Sequence, residues 1–274
     1  MTALALERLA AAGSGVGFAR VERALTGEPA YLGSGLDGSL TLTVRGDHLP
    51  TRYREALGAF RFAQYLRLGW IDPHLAAAEG RYTDRPAHDP RRDLHTLVID
   101  RADGRLAGYV GLARPERFGL EADYDLRVDV ELAPQTPRGH LWEAKRLVRR
   151  VGMGHGQLAR NAPWWALLAL TRTVTGLRER GELAAMIGDG APDGSPAMLA
   201  LLDYDVRTIT ARPRAGNRTG LYGPMWRQET AAVPFHAVPH PRQEPLLEDL
   251  ERFLALGRTG SVRELLRAKG HPHA

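Results

Sequence analysis

The chain has 274 residues, 43% of them apolar and 25% charged, with a formal net charge of +5. That length buries a sizeable core in one large domain or one domain with appendages. The absence of cysteine removes disulfides, thiolate metal sites and cysteine nucleophiles together.

The excess positive charge is carried by arginine dispersed among acids, with lysine only at Lys145 and Lys269. It makes neither a basic block nor the aromatic–basic interleaving of single-strand binders, so nucleic acid is not the expected partner. No apolar run has the length of a membrane span and no leader pattern is seen, so the expected location is cytoplasmic.

Residues 1–12 have the composition of a short helix stopped by the Gly- and Ser-rich residues 13–17, and residues 28–39 read as loop. Residues 1–39 are therefore expected to form an accessory arm. LTLTV at 40–44 alternates as a strand does. Pro50 and Thr51 open a helix, and over residues 54–68 Leu57, Arg61, Tyr65 and Leu68 share one face. That face is a partly buried seam or one wall of a site. Gly69-Trp70 ends the helix, and residues 71–93 read as a long loop of the kind that often carries function.

LHTLVI at 94–99 and LAGYVGL at 106–112, joined through Asp103-Gly104, predict a hairpin. Residues 126–132 fit a further strand, and residues 141–149 another. Asn161 suits an N-cap and Pro163 a first-turn position for a helix over 164–180, which Gly181 stops. Strands over 183–187 and 206–211 flank a short helix at 196–202. The proline-rich residues 233–245 are expected to separate a helical tail, where Ser261 and Glu264 form a capping box. This order predicts an α/β fold with a mostly antiparallel sheet, a main domain over residues 40–232 and a helical extension over 233–274.

The most informative stretch is LWEAKRLVRRVGMGHGQ at 141–157. Arg149, Gly152 and Gly154 fit R-x-x-G-x-G between a strand and a helix. Small residues let the backbone approach an anion, and the unpaired amides of a helix start face it. Such a loop suits the pyrophosphate or pantetheine arm of an acyl carrier; in a chain with 30 glycines a simple turn is the competing reading. His155 within the turn is a candidate base. The histidines lack metal-ligand spacing on a helix, so no metal is expected. Nucleophile-elbow, Walker and HExxH motifs are absent.

Three separated segments resemble the acyl-homoserine-lactone synthase branch of the GNAT acyltransferase superfamily. They are Arg61-x-x-x-Tyr65 with Gly69-Trp70, Leu97-Val-Ile with Gly108-Tyr109, and Trp142-Glu143-Ala-Lys-Arg146-Leu147. The resemblance implies a GNAT-like sheet flanked by helices, with S-adenosylmethionine (SAM) as substrate and acyl-CoA or acyl carrier protein as acyl donor. It further implies acylation of the SAM amine, closure of a lactone and release of methylthioadenosine. By position it implies roles at the SAM and acyl site for Arg61, Trp70, Glu143 and Arg146, of which Glu143 and Arg146 are the expected catalytic residues. Tyr65, Asp89 and Lys145 are further expected substrate contacts, and the loop of Arg149, Gly152 and Gly154 is expected to bind the donor.

Departures from the family pattern concentrate around the small-molecule pocket. The paired acids are replaced by differently spaced Asp84, Asp89 and Asp93, an arginine position after the hairpin holds Gly111, and Lys145 stands for a serine. They point to an altered substrate or product. Two alternatives stay open: a SAM-only cyclase making a lactone or a cyclopropane amino acid, and a non-catalytic ligand-binding module.

Overall fold

We describe a computed structural model covering residue 8 and residues 15–84, 89–228, 232–257 and 260–268. The helix expected over residues 1–12 lies outside the described residues except at Arg8, as does Lys269. Eight strands form one sheet in the order β1-β2-β3-β4-β5-β6-β8-β7. They are β1 (Tyr31–Ser34), β2 (Ser39–Arg45), β3 (Leu94–Asp100), β4 (Arg105–Ala113), β5 (Leu141–Arg149), β6 (Ala185–Gly190), β7 (Tyr204–Thr208) and β8 (Val233–Pro239). Every neighbouring pair is antiparallel except β5 with β6. A parallel step needs a long crossover, supplied here by a 23-residue helix. The expected mixed, mostly antiparallel sheet flanked by helices is the observed architecture.

The helices are α1 (Thr51–Arg67), α2 (Pro73–Ala78), α3 (Gly119–Asp123), α4 (Gln157–Glu179), α5 (Ser195–Leu201), α6 (Gly223–Trp226), α7 (Glu244–Ala255) and α8 (Val262–Ala268). One sheet face is covered by the crossover helix α4, whose Trp165, Leu168 and Val174 pack with Val98, Val110 and Leu112 of the hairpin, and by α7. The opposite face carries two separate clusters. Under α1, Leu57 and Phe60 pack on Leu97, Ile99, Tyr109 and Val148. Beyond β5, Phe118 and Tyr124 pack with Leu141, Ala185 and Ile187. Between these clusters the face-side residues of β5 are polar, Glu143 and Lys145.

Four local expectations are corrected. Residues 31–34, placed in an accessory arm, pair with β2 as an edge strand. Residues 233–239, expected to be a linker, form an interior strand between β6 and β7. Pro234 and Pro239 sit at its ends, so Phe235 to Val238 keep their amides for pairing, and Phe235 and Ala237 are buried. Residues 126–132 are not a strand: a wide helical turn, Val128–Leu132, buries two side chains four apart. The crossover helix begins at Gln157, six residues before Pro163, with Gly156 rather than Asn161 as its cap. Burial of Leu158, Ala162 and Trp165 against the hairpin carries the helix through the proline, which forfeits one internal hydrogen bond.

The capping box forms as expected, with Ser261 and Glu264 exchanging backbone-to-side-chain bonds of 3.2 and 3.1 Å. Among the described residues no helix is long and apolar enough to cross a membrane.

Candidate functional site

The site is set up by two irregularities of β5. Pairing with β4 shifts between Tyr109↔Val148 and Gly111↔Lys145, so Arg146 and Leu147 together face Val110 as a bulge. Arg146 takes a φ of 62°, a left-handed conformation that aims its side chain differently from a regular strand residue. On its other side β5 registers with β6 only from Leu141↔Ala185 to Glu143↔Ile187. Beyond Glu143 the two strands form no further register pairs, while β6 stays paired with β8 as far as Gly190.

Arg146 meets Asp84, and the carboxylate serves two arginines at once. Arg61 Nε and Arg146 Nε each lie 2.7 Å from Asp84 Oδ2, while the Tyr222 hydroxyl donates to Oδ1 at 2.7 Å. α1 brings Arg61 there because Gly58, one turn earlier, lets the loop against it: a Cβ at Gly58 would stand 2.9 Å from the Asp84 carbonyl. Asp84 and Arg61 are buried, with side-chain exposures of 1% and 5%, whereas Arg146 keeps 25%. Burial pushes the Asp84 carboxyl up, but Arg61 and then Arg146 outweigh it and hold it below its usual range. Two guanidiniums on one carboxylate leave the cluster with a net charge of +1, and Arg146 is its outward-facing member.

Aromatic rings wall this cluster. The Arg61 guanidinium lies 5.1 Å from the Tyr109 ring centre, and Tyr109 is bonded to His95 Nδ1 at 2.9 Å. Tyr65 packs against Trp70 at 5.5 Å and meets Tyr222 edge-on at 6.2 Å. Arg61, Tyr65, Trp70 and Arg146, all expected at the site, are thus brought together.

Glu143 and Lys145 occupy the neighbouring stretch of the same face. The Glu143 carboxylate accepts the amides of Gly119 at 2.8 Å and Leu120 at 3.0 Å and pairs with Lys145 Nζ at 3.1 Å. It therefore anchors the first turn of α3. The Lys145 ammonium lies over Gly119: a Cβ there would stand 2.1 Å from Nζ, so a larger residue would have to displace the lysine. At the far end of α3, burial and then the charge of Asp189 raise the Asp123 carboxyl to about 6. Asp189, on β6 beyond its last pair with β5, is itself raised by burial and accepts the Tyr124 hydroxyl at 2.9 Å.

The glycine turn follows β5 as expected. Arg150 fixes its base to Asp100 at 3.1 Å and Asp103 at 2.8 Å, and the Val151 amide donates to Gln64 Oε1 at 2.7 Å. Gly152 and Gly154 have φ of 83° and 71° with open space around them. Arg149 is exposed at the strand end, and His155 is exposed in the turn. Gly154→Ala is expected to cost about 1 kcal/mol from backbone conformation alone, read from urea unfolding, because nothing clashes with the methyl.

Asp89 stands apart from the position expected for it. It is an exposed surface acid that accepts Arg91 Nε at 2.9 Å, and Asp84 is the aspartate at the cluster. By local pattern Asp84 is only one of three candidate acids, and Tyr222, Asp123 and Asp189 carry no motif that marks them. Tyr222 lies 138 residues from its partner and has no local signature. Among the described residues no group of three or more His, Asp or Glu is placed to hold a metal.

No protein-family model matches the chain, and no curated protein matches it in sequence. The mixed α/β fold is GNAT-like and is shared with the solved structure of TofI. The structure of TofI in a ternary complex with an inhibitor and MTA superposes with a TM-score of 0.50 at 17% identity, covering 76% of this chain and 96% of TofI. The AHL synthase LasI gives 0.47 at 13%, covering 82% and 96%. The CoA-dependent acyl-homoserine lactone synthase BjaI, solved with MTA, gives 0.46 at 15%, covering 77% and 88%.

Proposed function

We propose that the chain is an acyltransferase-like enzyme that binds SAM beside the β5 bulge, acylates its amine and releases methylthioadenosine. The observation that carries this reading is the Asp84 cluster, a net positive site whose most accessible member, the half-buried Arg146, stands beside an aromatic wall. The methionine end of SAM supplies a carboxylate for Arg146. Its sulfonium and adenosine suit the rings of Tyr65, Trp70 and Tyr222. The thioester enters where β5 and β6 cease to pair, with its phosphate-bearing arm towards Arg149 and the open turn of Gly152 and Gly154.

In the acyl step the amine nitrogen attacks the thioester carbonyl, the carrier thiolate leaves and takes up a proton, and the amine must lose one. Glu143 is occupied by two amides and a lysine, so we assign it, with Lys145, to holding α3 in place. Asp123 and Asp189 have raised proton affinity near the cleft, and Asp123 at about 6 is matched to taking the amine proton at neutral pH. Lactone closure then needs the SAM carboxylate to displace methylthioadenosine from the carbon beside sulfur, a step governed by positioning.

The test is incubation with SAM, with and without acyl-CoA or acylated carrier protein, following methylthioadenosine by mass spectrometry and free thiol by a thiol reagent. Both products, each requiring the thioester, support the proposal. Methylthioadenosine without any thioester selects the SAM-only cyclase. Neither product, with SAM still raising Tm, selects a ligand-binding module. Arg146→Ala is expected to raise the KM for SAM by about 10–100-fold, the worth of one charge-assisted contact. It should barely change the Tm, since Asp84 keeps Arg61 and Tyr222.

A further inference from the structure

The connection between β7 and β8 runs back over the sheet face as a strap that touches both walls of the cleft. Its first part clamps α3: the Asp125 amide donates to the Arg212 carbonyl at 2.9 Å, and Asn217 Nδ2 donates to the Asp123 carbonyl at 2.7 Å. Its second part clamps the α1 side, where the Asp72 amide donates to the Leu221 carbonyl at 2.9 Å and Leu221 is buried. Trp226 then returns to pack edge-on against Tyr124 at 5.3 Å. Tyr222 is delivered to Asp84 by this strap and by nothing local to the arginine motifs.

The geometry around Asp84 gives that hydroxyl a specific consequence. Both arginines approach the same oxygen, Oδ2, through Nε, and Oδ1 belongs to Tyr222. An arginine facing a free carboxylate prefers a two-pronged pairing, which would engage a terminal nitrogen as well as Nε. We propose that Tyr222 is a positioning residue that occupies Oδ1, keeps Asp84 one-pronged on Arg146, and so leaves the terminal nitrogens of Arg146 free for the carboxylate of an amino-acid-type substrate. Resting on the SAM reading above, the inference makes Tyr222 a determinant of carboxylate recognition and not of the rest of the ligand.

The experiment compares SAM with methylthioadenosine, which shares the thioadenosine part but lacks the carboxylate and ammonium, by calorimetry on the full chain. Tyr222→Phe keeps the ring against Tyr65 and removes only the hydroxyl. Expected is about tenfold weaker SAM binding, the scale of one compromised charge-assisted contact. Methylthioadenosine affinity should stay within twofold, and in turnover the loss should fall on KM with kcat nearly unchanged. Equal weakening of both ligands would mean that Tyr222 only shapes the pocket, and unchanged SAM binding would mean Asp84 needs no such restraint; either overturns the proposal. Wild-type protein that binds neither ligand overturns the SAM reading itself, and this inference with it.

Discussion

Asp84→Asn is expected to lower unfolding stability at pH 7 by about 3–5 kcal/mol, the usual loss when one member of a buried ion pair is removed. Arg61 has only 5% of its side chain exposed; its Nε pairs with Asp84 Oδ2 at 2.7 Å, while Nη2 donates to the Asp84 backbone carbonyl at 3.3 Å, a bond the substitution leaves in place. An amide in that place has no charge to offset the guanidinium and presents an NH2 group to one of its three partners. For a chain of this size the change corresponds to a fall in Tm of roughly 10 °C. Arg61→Met in the Asp84→Asn background should recover part of the loss, because it removes the stranded charge instead of adding damage.

The pH dependence gives a second check on the same variant. The folded-state affinity of Asp84 for a proton is held below the ordinary value of 3.8, despite burial, by the two arginines. The folded state therefore favours the ionised form, and the stabilisation is fully present above about pH 4. It is lost as pH falls below 3.8 towards the depressed folded value. Wild type and Asp84→Asn should accordingly draw closer, by no more than about 1 kcal/mol, in urea titrations carried down to pH 3. Curves that stay parallel over that range would remove Asp84 from the role of charged hub.

How much of this was legible in the sequence follows from how local each feature is. The face bearing Leu57, Arg61 and Tyr65 obeys helical spacing, and the Asp103-Gly104 turn announces its hairpin, so both stood out. Trp142-Glu143-x-x-Arg146 was visible as a motif, but strand alternation would put residues 143 and 145 on one face and 146 on the other. The bulge and the left-handed φ of Arg146 break that alternation, and no composition rule signals them. Asp84, Asp89 and Asp93 are equivalent by local pattern. What separates them is the approach of the loop to α1 at Gly58, a tertiary fact. β8 was hidden by prolines that sit harmlessly at its two ends, and the strap bearing Tyr222 became visible only once β8 and β7 were in one sheet.

Asp123→Asn is expected to make the protein more stable at pH 8, by up to about 3 kcal/mol, and to leave it unchanged at pH 4. The Asp123 carboxyl is raised from 3.8 to about 6, roughly two units at 1.36 kcal/mol each. Burial and the neighbouring Asp189 both disfavour its charge, so the folded state binds the proton more tightly than the unfolded chain does. Stability must then fall as pH rises from about 4 to 6 and level off above. The asparagine keeps the size of the side chain, while the backbone carbonyl that accepts Asn217 and the Arg214 amide is untouched. Because Asp189 titrates in the same field, the pair shares the transition, and the variant should also make Asp189 easier to ionise. The stabilised variant should nonetheless be the poorer enzyme. If Asp123 takes the amine proton, kcat/KM of the wild type rises with pH through about 6 and Asp123→Asn lacks that limb. A gain in stability together with an unaltered pH–rate profile would keep the buried acid as a source of strain and take the proton transfer elsewhere.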